Sequence, residues 1–379
     1  MWFRRRKRRS LESADRFPSA PPDVPLLEVD SAQTSFVTDR GTVRAVDGVT
    51  FSLERGRTLG IVGESGCGKT VLSRSVMGLL PKHNVVRSGS VRFEGQEIGN
   101  WAPDQMRPLW GTQMAMVFQD PMTSLNPVMS IGNQITEPLL YHFDISSGYA
   151  RELAVALLQS VGIPEPDRRL RQFPHELSGG MRQRVMIAIA IACGPKLLFA
   201  DEPTTSLDVT VQAQILDLLQ TQQRERYMAM ILVTHDLGVV AGRTDDIAVM
   251  YAGRIVEKAP TRVLFSQPRM PYTEALLASI PKLGDAAHSR LATIPGRPPN
   301  LIHPPQGCKF SPRCAYVQDK CRVEEPPLRP GPEGKHEFAC WFPVGTPEGR
   351  AAFESNKKAG VAAVEARLGG ETVPVEGVS

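Results

Sequence analysis

The segment Gly63-Glu64-Ser65-Gly66-Cys67-Gly68-Lys69-Thr70 carries the residues for phosphate chemistry. It fits G-x-x-x-x-G-K-[ST], a turn that cradles the phosphates of a nucleotide. Glycines let successive backbone N–H groups face one anion, where bulkier residues would block the approach. Lys69 offers a cation to the β- and γ-phosphates, and the Thr70 hydroxyl offers a ligand to Mg²⁺. A second constellation is Leu197–Ala200 followed by Asp201 and Glu202. An apolar run ending in two acids says little alone. Here it follows the phosphate loop, with Asp201 132 residues after Lys69. Asp201 would then arrive beside Mg²⁺, and Glu202 could polarise an attacking water as general base. A third set is Cys308, Cys314, Cys321 and Cys340, separated by 5, 6 and 18 residues. It lacks the close cysteine pair of structural zinc sites and the usual ferredoxin spacings. Spacing alone leaves these as four thiolates and a candidate metal centre. Cys67 and Cys193 are isolated, and the Cys67 thiol is assigned no role beyond its backbone's place in the loop.

These residues need strands and helices to position them. Leu59–Val62 reads as the strand entering the phosphate loop, and Val71–Leu80 as the helix leaving it, whose positive end faces the anion. Between Leu26 and Gly60 the runs LLEVD, TSFVT and VRAVDGVTFSLERG read as strands, with a turn at Arg40-Gly41. Further short strands are expected around Gly89–Glu97 and Met114–Phe118. Residues 121–176 read as helices separated by prolines, including Ala150–Val161. Leu197–Ala200 and Met230–Val233 are apolar throughout, as buried parallel strands are. This alternation predicts an α/β fold, a parallel sheet covered by helices. After residue 260 prolines crowd in, among them Pro295, Pro298, Pro299, Pro304 and Pro305, and regular structure is not expected. A metal centre would explain order in so short a segment. Four regions follow: 1–25, a disordered basic tail; 26–260, a nucleotide-binding domain; 261–345, an irregular extension with the cysteines; and 346–379, a polar tail.

Composition narrows the function. The 379 residues are 41% hydrophobic, enough for a full core, and the net charge of +4 does not suggest a nucleic-acid binder. Arg4–Arg9 reads RRRKRR, a solvated run that anionic lipid headgroups could also attract. No apolar run reaches 18 residues, the longest candidate being Val185–Cys193, and the N-terminus lacks a secretory pattern. The expectation is a soluble or peripheral protein on the cytoplasmic side, where clustered cysteines favour metal over disulfides.

Leu177-Ser178-Gly179-Gly180-Met181-Arg182-Gln183-Arg184 discriminates among phosphate-loop enzymes. LSGGM before an Arg/Gln-rich helix start resembles the signature motif of ABC-type ATPases. Ser178 and the Gly179–Gly180 backbone make a second anion site at a helix start. The resemblance covers about residues 26–260. It implies a phosphate-loop NTPase of ABC type, with a RecA-like core, an antiparallel β subdomain and a helical subdomain. By the same resemblance, Gln119 matches the glutamine that reaches Mg²⁺ and the attacking water, completing a magnesium set with Thr70 and Asp201. His235, 33 residues past Glu202, matches the switch histidine at the γ-phosphate. Phe36 is similar to the aromatic that stacks on adenine. Ser206-Leu207-Asp208 matches the loop crossing a dimer interface. Ser178, Gly179, Gly180, Met181 and Asp208 would serve the ATP bound by a partner.

A narrower resemblance rests on FQDPMTSLNP (Phe118–Pro127), THDLGVV (Thr234–Val240), MYAGRIVE (Met250–Glu257) and PYTEALLASIP (Pro271–Pro281). These look like the ATPase subunits of oligopeptide and dipeptide importers, more the first (D-type) of the two than the second. The resemblance implies a second ATPase subunit, two membrane permeases and an external peptide-binding protein, with no nucleic-acid partner. It places Gln119–Gln134 near the permease. It also implies a [4Fe–4S] cluster on Cys308, Cys314, Cys321 and Cys340, with zinc or free thiols as the alternatives. One phosphate loop and no long heptad run argue against a repair or translation ATPase.

Overall fold

In the computed structural model, residues 24–280 and 294–367 are described, except Lys82, Ser206 and Glu333, and with backbone only for 365–367. Among the described residues twelve strands form two sheets. They are β1 (Leu27–Thr38), β2 (Gly41–Leu53), β3 (Thr58–Val62), β4 (Val85–Phe93), β5 (Gln96–Glu97) and β6 (Met114–Val117). The remainder are β7 (Leu197–Asp201), β8 (Ala229–Thr234), β9 (Asp246–Tyr251), β10 (Arg254–Pro260), β11 (Arg329–Pro330) and β12 (Glu337–Phe338). The larger sheet has the order β11-β12-β10-β9-β3-β8-β7-β6, and the smaller β2-β1-β4-β5. The smaller sheet is antiparallel, and β9, β3, β8, β7 and β6 run parallel.

The parallel strands follow from composition. Every residue of β3, β6, β7 and β8 is buried, as expected where helices cover both faces of a sheet. LLEVD and TSFVT, expected as two strands, are one strand of 12 residues. A register shift between Val29 and Ala32, with Ser31 at φ 51°, absorbs the break in alternation as a bulge. The helix after the phosphate loop spans Lys69–Val76, so it starts inside the motif and stops short of Leu80. Gly78 at φ 66° takes the chain out of it. The helix expected at Ala150–Val161 spans Ser147–Ser160, with Ser146 capping it through the Tyr149 N–H. Not every proline separates helices: Pro138 lies inside Ile131–His142. These two helices and Gly179–Ile191 share a core of Leu139, Ala150, Ala154, Leu158 and Val185.

The region after 260 is joined to the main sheet. β12 pairs with β10, and the Ala339 N–H donates to the Val256 carbonyl at 2.8 Å. Glu257 of β10 is fully buried, accepts the backbone N–H groups of Arg269 and Met270, and lies 2.6 Å from His336 Nε2. The stretch is also less irregular than its prolines suggest, with helices Thr261–Ser266, Pro271–Ala278 and Asp319–Val323. Proline supports one of them, occupying the first helical position at Pro271.

The polar tail expected at 346–379 is corrected over its first part. Pro347–Lys358 and Ala362–Arg367 are helices, and Ala352 and Val364 are buried. Asn356 Nδ2 donates to the carbonyls of Ala315 and Val317, both at 2.9 Å. Its burial in this polar setting is what composition hid. The expectations for residues 1–23 and 368–379 lie outside the described residues.

Asn356→Ala leaves two buried carbonyls without these donors. It is expected to cost roughly 1–3 kcal/mol, read as a lower urea midpoint with an unchanged slope.

Candidate active site

The phosphate loop leaves the carboxyl end of β3. Its glycines are set by close approach as well as by dihedral angle. Gly68 has φ 107°, and a Cβ there would lie 2.1 Å from the Ala45 carbonyl oxygen. A Cβ on Gly63 would lie 2.1 Å from the Met250 carbonyl oxygen. Lys69 is buried, and its Nζ donates to the carbonyls of Gly63 (2.7 Å) and Glu64 (3.2 Å). Ser65 and Gly66 are exposed at the crown, whereas Cys67 is buried.

Sheet register brings the remaining groups to this loop. Val62 pairs with Thr234 of β8, and Asp201 of β7 pairs with Val233. The residues that follow these strands therefore emerge on one edge. Thr70 donates its hydroxyl to Asp201 Oδ1 at 3.0 Å. Asp201 Oδ2 is buried without a partner among the described residues. Burial pushes the Asp201 carboxyl up from its ordinary value, and the Glu202 charge adds to this against the opposing Thr70 hydrogen bond. An unpaired buried carboxylate oxygen beside a hydroxyl suits a hard cation such as Mg²⁺.

Glu202 is the centre of the arrangement. Its backbone is left-handed, at φ 45°, and its N–H donates to the Val233 carbonyl at 2.9 Å. Oε2 accepts from Gln119 Nε2 and from the Thr205 hydroxyl, both at 3.1 Å, and lies 3.3 Å from His235 Nδ1. Oε1 is 3.6 Å from Lys69 Nζ. A carboxylate so held is oriented as a general base must be. Lys69, Thr70, Gln119, Asp201, Glu202 and His235 are thus one connected group. Thr205 belongs to it and was missed; its place three residues after Glu202 was the available signal.

The signature residues are apart from this group. Ser178 caps the helix Gly179–Ile191 through the Met181 N–H, and Asp208 caps Val209–Glu225 through the Val211 N–H. The two helix starts adjoin, since a Cβ on Gly180 would lie 3.0 Å from Val211. Ser178, Gly179 and Asp208 are exposed. Ser206 lies outside the described residues. Phe36 is half-buried on β1, two residues beyond Thr34, whose hydroxyl is 2.9 Å from that of Ser75 in the helix after the loop.

Cys308, Cys314, Cys321 and Cys340 line one small pocket, together with Met270, Tyr316 and Trp341. The Cys308 N–H donates to the Cys321 carbonyl at 2.8 Å, tying the first to the third. Burial pushes the Cys308 thiol up to about 11, with neighbouring Cys321 adding to it. Cys314 and Cys340 are raised by burial and further by the other cysteines. Cys321 is also raised by burial. Among the described residues no three or more His, Cys, Asp or Glu are grouped so as to hold a metal ion.

The comparisons with known proteins agree with this geometry. Residues 46–205 match the "ABC transporter" family model, and 256–321 match "Oligopeptide/dipeptide transporter, C-terminal region". An oligopeptide transport ATP-binding protein of Salmonella typhimurium is 48% identical over 333 residues, covering 88% of this chain and 98% of that one. Its Bacillus subtilis counterpart is 50% identical over 304 residues, covering 80% and 85%. The chain belongs to the ATP-binding subunits of oligopeptide/dipeptide ABC transporters. A dipeptide transport ATP-binding protein of Escherichia coli is 46% identical over 319 residues, covering 84% and 97%. Among solved structures, an ATP-binding cassette dimer bound to ADP and Pi superposes with TM-score 0.56 at 24% identity. It covers 62% of this chain and 99% of its own. The ABC-type phosphate-loop fold is the expected one.

Asp201→Asn tests the cation site. Burial raises the folded-state pKa above the ordinary 3.8. The charge therefore costs stability in full at pH 7, and the cost disappears below pH 3.8. Without nucleotide the variant is expected to melt higher than the unsubstituted chain at pH 7, with the gap closing on acidification. Its Mg²⁺-dependent ATP affinity is expected to fall by about tenfold or more, read by nucleotide titration with and without Mg²⁺.

Proposed function

We infer that this chain is the ATP-hydrolysing subunit that powers peptide import through a membrane ABC transporter. The observation that carries the reading is the Glu202 carboxylate, held by Gln119, Thr205 and His235 within 3.6 Å of Lys69. Glu202 takes a proton from the attacking water as the water oxygen bonds to the γ-phosphorus and the bond from that phosphorus to the β–γ bridging oxygen breaks, releasing ADP. Gln119 and His235 orient that carboxylate and the water. Lys69 lies where it can turn from the loop carbonyls to the β- and γ-phosphates. Thr70, Gln119 and Asp201 would hold Mg²⁺, which when bound neutralises phosphate charge. The loop Gly63–Thr70 holds the phosphates, and Phe36 receives the adenine.

The exposed Ser178–Met181 segment and Asp208 suit a surface that completes the nucleotide site of a second ATPase subunit, most simply in a heterodimer. Permease subunits are the membrane partners of the family, with an external peptide-binding protein delivering cargo. Among the described residues no helix is long and apolar enough to cross a membrane. Family membership supports reading the chain as a peripheral subunit on the cytoplasmic face. Exposed Met122 and Val128, within Gln119–Gln134, support that stretch as the permease contact. Nucleic acid has no place in this reading.

For the cysteines, the proposal is a [4Fe–4S] cluster on Cys308, Cys314, Cys321 and Cys340. Zinc bonds sulfur at about 2.3 Å and needs four sulfurs converging on one point. The four cysteines lining one pocket support this reading, and binding a cluster would take them up as thiolates. When bound, the cluster would crosslink four chain segments and offer one-electron chemistry. Anaerobically purified chain is expected to contain about four irons and four acid-labile sulfides; stoichiometric zinc without sulfide would refute this assignment.

Glu202→Gln is expected to keep ATP binding and to lower turnover in the assembled transporter by roughly 10²–10⁴-fold. Near-normal turnover would remove Glu202 from the base's role.

A further inference from the structure

The phosphate loop carries an acid at its second position. Glu64 is a poor neighbour for a nucleotide triphosphate, because a carboxylate there opposes the charge the loop binds. Two groups from beyond residue 260 engage it. The Tyr272 hydroxyl accepts the Glu64 backbone N–H at 2.9 Å. Arg313 forms a fork with the carboxylate, Nη1 to Oε2 at 2.6 Å and Nη2 to Oε1 at 2.9 Å.

Arg313 is built for this position. Its side chain is only 4% exposed. Nε donates to the Pro295 carbonyl at 2.8 Å, and Nη1 also reaches the Tyr251 hydroxyl at 3.3 Å. The guanidinium lies 5.9 Å from the ring centres of both Tyr251 and Phe310. Burial alone would weaken its positive charge, but the Glu64 and Tyr251 bonds reverse this and hold the proton more firmly than usual. A planar fork held on aromatic faces fixes direction as well as charge. Its backbone belongs to the short turn Ser311–Arg313, between Cys308 and Cys314 of the thiol cavity.

We propose that Arg313 is a positioning residue for ATP binding: it neutralises Glu64 and holds the phosphate loop in its anion-binding shape. The proposal rests on the ATP reading above. A merely structural arginine would stabilise the extension without its loss being repaired by a change at Glu64. Charge neutralisation predicts that repair.

The test is a two-residue cycle on the full-length chain, with Mg²⁺ and a ribose-labelled fluorescent ATP as the probe. Arg313→Ala is expected to weaken binding by about tenfold. Adding Glu64→Gln to it is expected to recover most of that loss. Unchanged affinity in R313A, or an E64Q/R313A affinity no better than that of R313A, overturns the proposal. Lys69→Ala separates the two readings. If K69A loses binding and R313A does not, the proposal fails and the ATP reading stands; if K69A also binds normally, the ATP reading itself fails. Should R313A lack a cooperative thermal transition, Arg313→Lys carries the cycle, since it keeps a cation without the fork. R313K is expected to bind about threefold more weakly, and binding equal to the unsubstituted chain overturns the proposal.

Discussion

The common edge of the parallel strands is the constraint on which the site depends. β3, β8, β7 and β6 are adjacent and point the same way, so the residues leaving their carboxyl ends are neighbours. Gly63, His235, Glu202 and Gln119 are therefore brought together by register, although they are far apart in the chain. Apolar residues on both faces of each strand resist a shift of that register. Glu202 stands just past such a strand in a left-handed conformation. Residues other than glycine adopt this at a cost that surrounding structure must offset. The bond from its N–H to Val233 and the three groups at Oε2 do so.

Ion pairs and hydrogen bonds tie the cysteine-rich region to the nucleotide-binding part at three carboxylates. Glu64 meets Arg313, and Asp47 accepts from Lys309 at 2.8 Å and from Arg254 at 2.9 Å. Glu257 meets His336 and two backbone donors. Burial would raise the Asp47 carboxyl, yet the Lys309 and Arg254 bonds hold it below its ordinary value. Lys309 and Arg313 each follow or precede a cysteine of the cavity by one residue. The thiol pocket is thus linked to the phosphate loop through Arg313 and to β2 through Lys309. Buried pairs of this kind are costly to break singly, because the remaining charge has no replacement partner.

Asp201 and the four clustered cysteines share a feature: polar groups gathered with their own mutual repulsion unrelieved. Asp201 keeps one oxygen without a partner, and the cysteines raise one another's pKa beyond what burial does alone. In both places the fold carries the cost of gathering these groups. A cation bound there removes a penalty in addition to forming new bonds.

The sequence by itself determined the chemistry of the nucleotide site. A phosphate loop requires glycine, lysine and threonine at fixed local spacing, and buried strands require unbroken apolar runs; both are short-range properties. It also marked the four cysteines, by composition alone. Tertiary structure decided what depends on long-range placement. Arg313 reached a loop 249 residues earlier. Asn356 turned a polar segment into a packed helix. Neither has a local signature, because a hydrogen bond or ion pair is specified by the distance and direction of its partner. The fold sets both only after the sheet has formed.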